Sequence, residues 1–298
     1  MRNTIAIFKL VVAKFFYFFI KMYTIYHNIN PVMFSFAGID IYFYGIVYVL
    51  GFIFIWKFLR KLFDDNYFLN TEVNNHNDID NIVLITAFYS FVAARLFYVI
   101  VYAFDYYVHH ISEIFMFWNG GMSILGGIIG ALIAFKRLSK EYEVEFLQLS
   151  DGFLLFIPIF LALGRIANFV NAELIGRVTT SFPICIDYSQ SNFVHNIIGC
   201  RYPSQLIEAL KNVIIFGVLY YTYKTYYNKL EYYDPIKKQY GKITFLFFIL
   251  YSFLRVFVEF FRIPDPNFLI LGFTLSQILF SIVFIISIII YIQHSKSL

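Results

Sequence analysis

The stretch "FLLFIPIFLALGRIANFVNAE", residues 153–173, decides the fold. Its first twelve residues carry no charge and suit the hydrocarbon core of a bilayer. Arg165, Asn168, Asn171 and Glu173 then follow within nine positions. Polar groups at membrane depth are costly unless a partner or a wet cavity satisfies them. On a helix, steps of three keep Arg165, Asn168 and Asn171 within one face roughly 120° wide. Two readings of that face stay open: a hydrogen-bonded helix–helix contact, or a pocket for an anionic, oxygen-rich headgroup.

The rest of the chain supports a membrane setting. Its 298 residues are 60% hydrophobic and only 14% charged, against about a quarter charged in soluble domains. Spanning helices need about 20 mostly apolar residues. The segments that qualify are Ile41–Leu59, Ile82–Phe104, Gly120–Phe135, Phe153–Val170, Leu206–Tyr223, Ile243–Phe261 and Leu269–Ile292. The expected fold class is all-α: a polytopic integral membrane protein of about seven transmembrane helices. Residues 29–298 read as one membrane-embedded domain. In residues 1–28, Lys9, Lys14 and Lys21 interrupt an apolar run, which reads as an extra N-terminal helix, interfacial or spanning. The net charge of +4 is too mild and too dispersed for a nucleic-acid partner.

Charge placement predicts orientation. Arg60 and Lys61 follow the first segment, and Lys136, Arg137 and Lys140 follow the third. Lys224, Lys229, Lys237, Lys238 and Lys242 lie between the fifth and sixth, and Lys296 is near the end. The positive-inside rule makes those ends cytoplasmic, with an N-out, C-in core. Loops 105–119, 171–204 and 262–268 then face outward. The third of these contains neither cysteine; Cys185 and Cys200 share the second, where an oxidising compartment would permit a disulfide.

Two further stretches hold polar residues in apolar surroundings. In "RVFVEFFRIPD", residues 255–265, Arg255, Glu259 and Arg262 share a helix face. Two guanidiniums against one carboxylate leave a surplus cation. Guanidinium binds phosphate bidentately and stays charged, so with Arg165 this face reads as a phosphate site. In "RYPSQLIEAL", residues 201–210, Pro203 suits a helix start, and Ser204 and Gln205 lie in its anion-friendly first turn. An ordinary helix cap is the competing reading. Arg95, mid-segment, requires a partner or a cavity, and Asp151 reads as a cap.

These motifs resemble the prolipoprotein diacylglyceryl transferase family. "GRIANFVNAELIGR", residues 164–177, is similar to its signature G-R-x-x-N-F-x-N-x-E-x-x-G-R. "NPVMFSF", "IYFYGIVYVLGF", "AARLFYVIVY", "WNGGMSILGGIIG", "RYPSQLIEAL" and "FLRVFVEFFRIPD" follow the family's order from about Asn30 to Gln277. The resemblance implies transfer of the diacylglyceryl group of phosphatidylglycerol to the lipobox cysteine of a prolipoprotein, releasing glycerol 1-phosphate. It implies a site at the outer face of the bacterial inner membrane and no metal or organic cofactor. Residue by residue, it implies catalytic roles for Arg165, Arg255, Glu173 and Tyr44. Arg165, Asn168, Asn171, Glu259, Arg262, Ser204 and Gln205 would bind the lipid.

One departure bears on the chemistry. The family's G-G-M-S-x-H-G-G reads "GGMSILGG" here, with Leu125 at the histidine position. Leucine cannot take a proton. Three routes stay open: an electropositive cavity suffices to ionise the thiol; Tyr44, Glu173, His109, His110 or His195 substitutes; or the chain is a weakened relative that binds lipid or lipoprotein. Ala167 and Ala172 also replace family glycines, Tyr202 a histidine and Ser276 a glycine.

Overall fold

A computed structural model describes residues 23–36, 39–68, 71–117, 120–226, 240–263, 269–270 and 272–297. Strands β1 (Tyr23–Tyr26), β2 (Val32–Phe36) and β3 (Ile39–Tyr42) lead into helix α1 (Phe43–Asp64). Helix α2 (His76–Phe97) continues as a wider π turn through Tyr102, followed by the short α3 (Phe104–His109) and a 3-10 turn at Ile111–Phe115. Then come α4 (Ile124–Glu141), α5 (Phe146–Leu154), α6 (Ile157–Val170), β4 (Ile184–Asp187) and α7 (Ser204–Tyr226). Helix α8 (Lys242–Val258) ends in a 3-10 turn, and the hairpin β5 (Leu269–Ile270)–β6 (Phe273–Thr274) precedes α9 (Leu275–Ser297).

The fold is mostly helical, with differences from the expected all-α pattern. Three two-stranded sheets are present among the described residues. Most of the expected N-terminal helix, residues 1–22, lies outside the described residues. Tyr23–Tyr26 at its end is a strand, paired in parallel with Ile184–Asp187. Four described helical segments are long and apolar enough to cross a membrane: His76–Tyr102, Ser204–Thr225, Lys242–Phe261 and Leu275–Lys296. The pair α5–α6, bent by 40°, makes a fifth if it is one broken span. Helices α1 and α4 are not in that count. Basic residues gather in the C-terminal part of each, Lys57, Arg60 and Lys61 in α1 and Lys136, Arg137 and Lys140 in α4.

The chain forms two compact units. One comprises the described residues of Phe52–Phe156 and Thr222–Thr244. Here α2 and α4 pack backbone to backbone through Gly126 and Gly130, with Ala134 and Leu138 continuing the buried stripe at intervals of four. A Cβ at Gly126 would collide with the Ala93 carbonyl, and one at Gly130 with the Tyr89 carbonyl. The expected third span begins only at Ile124, because Gly120 and Gly121 have φ of 80° and 74° and cannot continue a helix. They present their carbonyls to Arg95, whose Nη1 donates at 2.6 and 3.1 Å. Its other nitrogens donate to the carbonyls of Glu113 (2.6 Å) and Ile114 (2.9 Å). The partner that Arg95 required is therefore a cage of carbonyl dipoles. Asp151 is indeed a cap, but for another helix: it accepts from the Gly241 and Thr244 amides, at 2.8 and 2.7 Å, at the start of α8.

The other unit comprises the described residues of Met1–Gly51, Ile157–Tyr221 and Phe245–Leu298. Pro158 sits in the first turn of α6, where its missing N–H costs nothing. The long loop from 171 to 203 is pinned from several sides. Cys185 and Cys200 form a disulfide with Cα atoms 5.4 Å apart. Buried His27, next to β1, donates from Nε2 to the Phe169 carbonyl at 2.8 Å. Gly176 lies where chain segments meet: a Cβ would collide with the Tyr202 carbonyl and come within 2.9 Å of the Phe261 carbonyl. The Arg177 amide donates to the latter at 3.0 Å.

Candidate active site

The polar end of α6 closes in a Schellman turn. The Glu173 amide donates to the Asn168 carbonyl (2.9 Å) and the Ala172 amide to the Phe169 carbonyl (3.1 Å). Ala172 therefore occupies the left-handed position, with φ of 53°. The family glycine expected there would meet no Cβ penalty. The alanine methyl instead joins a cluster with Ile186, Tyr188 and Phe169. This turn aims Glu173 back at its own helix. Its carboxylate accepts from the Tyr44 hydroxyl at 3.0 Å, Asn168 Nδ2 at 3.2 Å and Asn171 Nδ2 at 3.4 Å. Asn168 also reaches the Tyr44 hydroxyl and accepts from Arg165 at 3.2 Å.

Arg165 joins this network to a second one. Its Nε lies 2.6 Å from Glu208, whose side chain is only 2% exposed. Arg262 lies 3.2 Å and Arg255 3.7 Å from the other oxygen of the same carboxylate. Arg255 also donates to Glu259 at 2.5 Å. Glu259 accepts from Thr274 Oγ1 at 3.4 Å. Thr274 in turn opens α9 in a capping box with Gln277, at 2.9 and 3.2 Å. Three guanidiniums against Glu208 and Glu259 leave a surplus of positive charge, as the spacing in residues 255–262 implies.

Ser204 and Gln205 do something more specific than line a helix start. Ser204 Oγ donates to the Leu174 carbonyl at 3.1 Å, and Gln205 Nε2 to the Glu173 carbonyl at 2.7 Å. They hold the backbone that carries Glu173. Gln205 also reaches the Tyr188 hydroxyl at 3.4 Å, and burial pushes that phenol's pKa up from its ordinary value.

Sequence reading placed Arg165, Asn168, Asn171, Glu173, Tyr44, Arg255, Glu259, Arg262, Ser204 and Gln205 in the site, and all lie in this one unit. It missed Glu208 as the hub. The available signal was its position one turn past Ser204, on the same helix face. Leu125 is half exposed in the first turn of α4 and belongs to the other unit, as do His109 and His110. Nδ1 of each of those histidines donates to a backbone carbonyl one turn back, at 2.9 Å.

Comparison with known proteins bears on this arrangement. The family model for prolipoprotein diacylglyceryl transferase matches residues 31–293. Proteins named phosphatidylglycerol–prolipoprotein diacylglyceryl transferase are similar along most of their length. One from Buchnera aphidicola subsp. Schizaphis graminum is 33% identical over 278 residues, covering 87% of this chain and 94% of the relative. One from Wolbachia pipientis wMel is 36% identical over 256 residues, covering 85% and 90%. One from Blochmanniella floridana is 31% identical, covering 84% and 91%. With a family match over almost the whole described chain and relatives at this identity, the protein belongs to the prolipoprotein diacylglyceryl transferase family.

Proposed function

We propose that this protein transfers the diacylglyceryl group of phosphatidylglycerol to the thiol of a prolipoprotein lipobox cysteine, releasing glycerol 1-phosphate. The observation that carries this reading is the convergence of Arg165, Arg255 and Arg262 on one buried carboxylate, next to the Tyr44–Glu173 pair. Guanidiniums gathered on a carboxylate are oriented equally well for a phosphodiester, which presents similar paired oxygens.

The substrate thiol sulfur attacks the glycerol carbon that carries the phosphate ester. The S–C bond forms as the C–O bond breaks, and the bonding electrons leave with the phosphate oxygen. Arg165, Arg255 and Arg262 stabilise the charge that gathers there. The thiol must lose its proton to react well. Glu173 takes that proton, held in place by Tyr44, Asn168 and Asn171. This assigns to Glu173 and Tyr44 the work that Leu125 cannot do. Glu259 orients Arg255, and Ser204 and Gln205 hold the Glu173 backbone.

The same reading makes the protein a multi-pass component of the bacterial inner membrane, with residues 29–298 acting as one transferase domain. Helices α1 and α4 cross as well, giving seven spans, N-out and C-in, with the site toward the periplasmic face. The basic residues at alternate helix ends support this orientation. Labelling of intact cells with an impermeant maleimide tests it: His109→Cys is expected to react and Lys140→Cys is not. The opposite pattern would invert the topology. The function itself is tested in a host depleted of its own transferase, where expression of this chain should restore lipid-modified prolipoprotein. Failure despite correct membrane insertion would sink the assignment.

A further inference from the structure

The polar face of α7 does not end at Glu208. Lys211 and Asn212 continue it at i+3 and i+4 and are 5% and 1% exposed. Helix geometry places both within about 60° of Glu208, roughly 12 Å along the axis from Ser204 at most. The face then becomes apolar at Ile215 and Leu219, both fully buried. Among the described residues, Lys211 Nζ and both amide atoms of Asn212 have no hydrogen-bond partner. The Lys211 nitrogen lies 3.9 Å over the Tyr251 ring, a cation–π contact that engages one side of an ammonium carrying three N–H donors.

A buried polar group without a partner is destabilising, and two neighbours in this condition are uncommon in a helix core. Apolar side chains would serve packing better. The orphaned set has a definite character. Lys211 offers donors only, while Asn212 offers donors and an acceptor side by side. A hydroxyl is itself donor and acceptor, so an amide pairs naturally with a diol. Lys211 complements an anionic oxygen.

We propose that Lys211 and Asn212 form the inner part of the lipid headgroup site. Asn212 reads the hydroxyls of a phosphoglycerol headgroup, and Lys211 supports the phosphodiester beside the three arginines. This rests on the transferase reading above and adds to it a residue that selects the headgroup.

The test compares two lipids that share the phosphodiester: phosphatidylglycerol, and phosphatidylmethanol, which lacks headgroup hydroxyls. The purified full chain is assayed with a lipobox peptide, and kcat and KM are measured for each lipid. The unaltered protein should prefer phosphatidylglycerol by about tenfold or more in kcat/KM, since a site built around substrate hydroxyls rejects an analogue lacking them. In Asn212→Leu that ratio should fall to about one. Lys211→Met should lower kcat/KM for both lipids together, by about tenfold. Where Asn212→Leu does not fold, Asn212→Ala gives the same comparison. A purely structural Asn212 would lower both lipids by one factor and keep the ratio, which overturns the proposal. So would an unaltered protein indifferent to the two lipids, or a Lys211→Met variant as active as the parent. Absence of transfer from either lipid by the unaltered protein would instead remove the transferase reading, and this one with it.

Discussion

Removing the Glu208 carboxylate would leave the guanidiniums of Arg165, Arg255 and Arg262 converging without their shared counter-charge. Breaking a buried ion cluster by removing one member costs about 3–5 kcal/mol. Glu208→Gln is therefore expected to lower both the thermal midpoint and the transfer rate, measured on the purified protein. Arg165→Ala and Arg255→Ala should each abolish rescue of a transferase-depleted host, because no neutral side chain replaces a phosphate clamp. If both rescue fully, the arginine assignment is wrong. Tyr44→Phe keeps the ring but removes the 3.0 Å hydrogen bond to Glu173. A loss of about 10²–10⁴ in kcat with little change in KM is the signature of a proton-transfer partner. Leu125→His is the converse test. With Glu173 as acceptor, the added imidazole should leave kcat within about threefold, whereas a gain of two orders of magnitude would assign the base to position 125.

At the scale of elements, one junction shapes the candidate site and another holds the other unit together. The first is the Schellman turn after α6, where Ala172 at φ of 53° turns the chain so that Glu173 meets Asn168 and Tyr44. Ala172→Val places a β-branched side chain in the left-handed region and should destabilise by about 1–3 kcal/mol. Ala172→Gly should remain active, because glycine relieves the backbone while losing only one methyl from the cluster. A fall in activity for the glycine variant and not for the valine variant would contradict this account of the turn. The second junction is the crossing of α2 and α4. Gly126→Leu must push against the Ala93 carbonyl and the Phe97 Cβ, so the helices separate. Overpacking of this kind costs about 1–3 kcal/mol, read as a lower thermal midpoint in detergent.

At the scale of the molecule, the loop from 171 to 203 carries Glu173 and Tyr188, and its order depends on ties between residues far apart in sequence. β1 joins β4, His27 holds Phe169, and the disulfide closes a separation of 15 residues. A loop of that size stabilises by about 3 kcal/mol when cross-linked. Cys185→Ser with Cys200→Ser should lower the thermal midpoint measurably. The same shift should follow when the unaltered protein is treated with a reductant, and no further shift when the double variant is. Equal midpoints for the oxidised parent and the double variant would show that the disulfide adds nothing to this loop.

The sequence by itself determined that the chain is a mostly helical, multi-pass membrane protein of this family, and it named the candidate site residues. In a membrane, apolar runs of sufficient length form helices, and Arg165 and Asn168 keep the spacing of α6. The expected helix faces stop short of their last members: Asn171 lies past the end of α6, Glu259 sits in the 3-10 turn after α8, and Arg262 is in extended backbone. Local pattern could not reach the rest, because it rests on contacts between distant positions. The break between α5 and α6 is hidden inside one apolar run, and β1 lies beyond a segment whose lysines suggest helix. Asp151 caps a helix some ninety residues away, as the Gly241 and Thr244 bonds record. Arg95 finds carbonyls rather than a carboxylate, since only tertiary packing brings Gly120 and Gly121 to it. Glu208 looks like an ordinary helix residue until α6, α8 and the segment just after α8 deliver Arg165, Arg255 and Arg262 to it. Charge balance in a low-dielectric interior is a property of where side chains meet, and that meeting is decided by the tertiary structure.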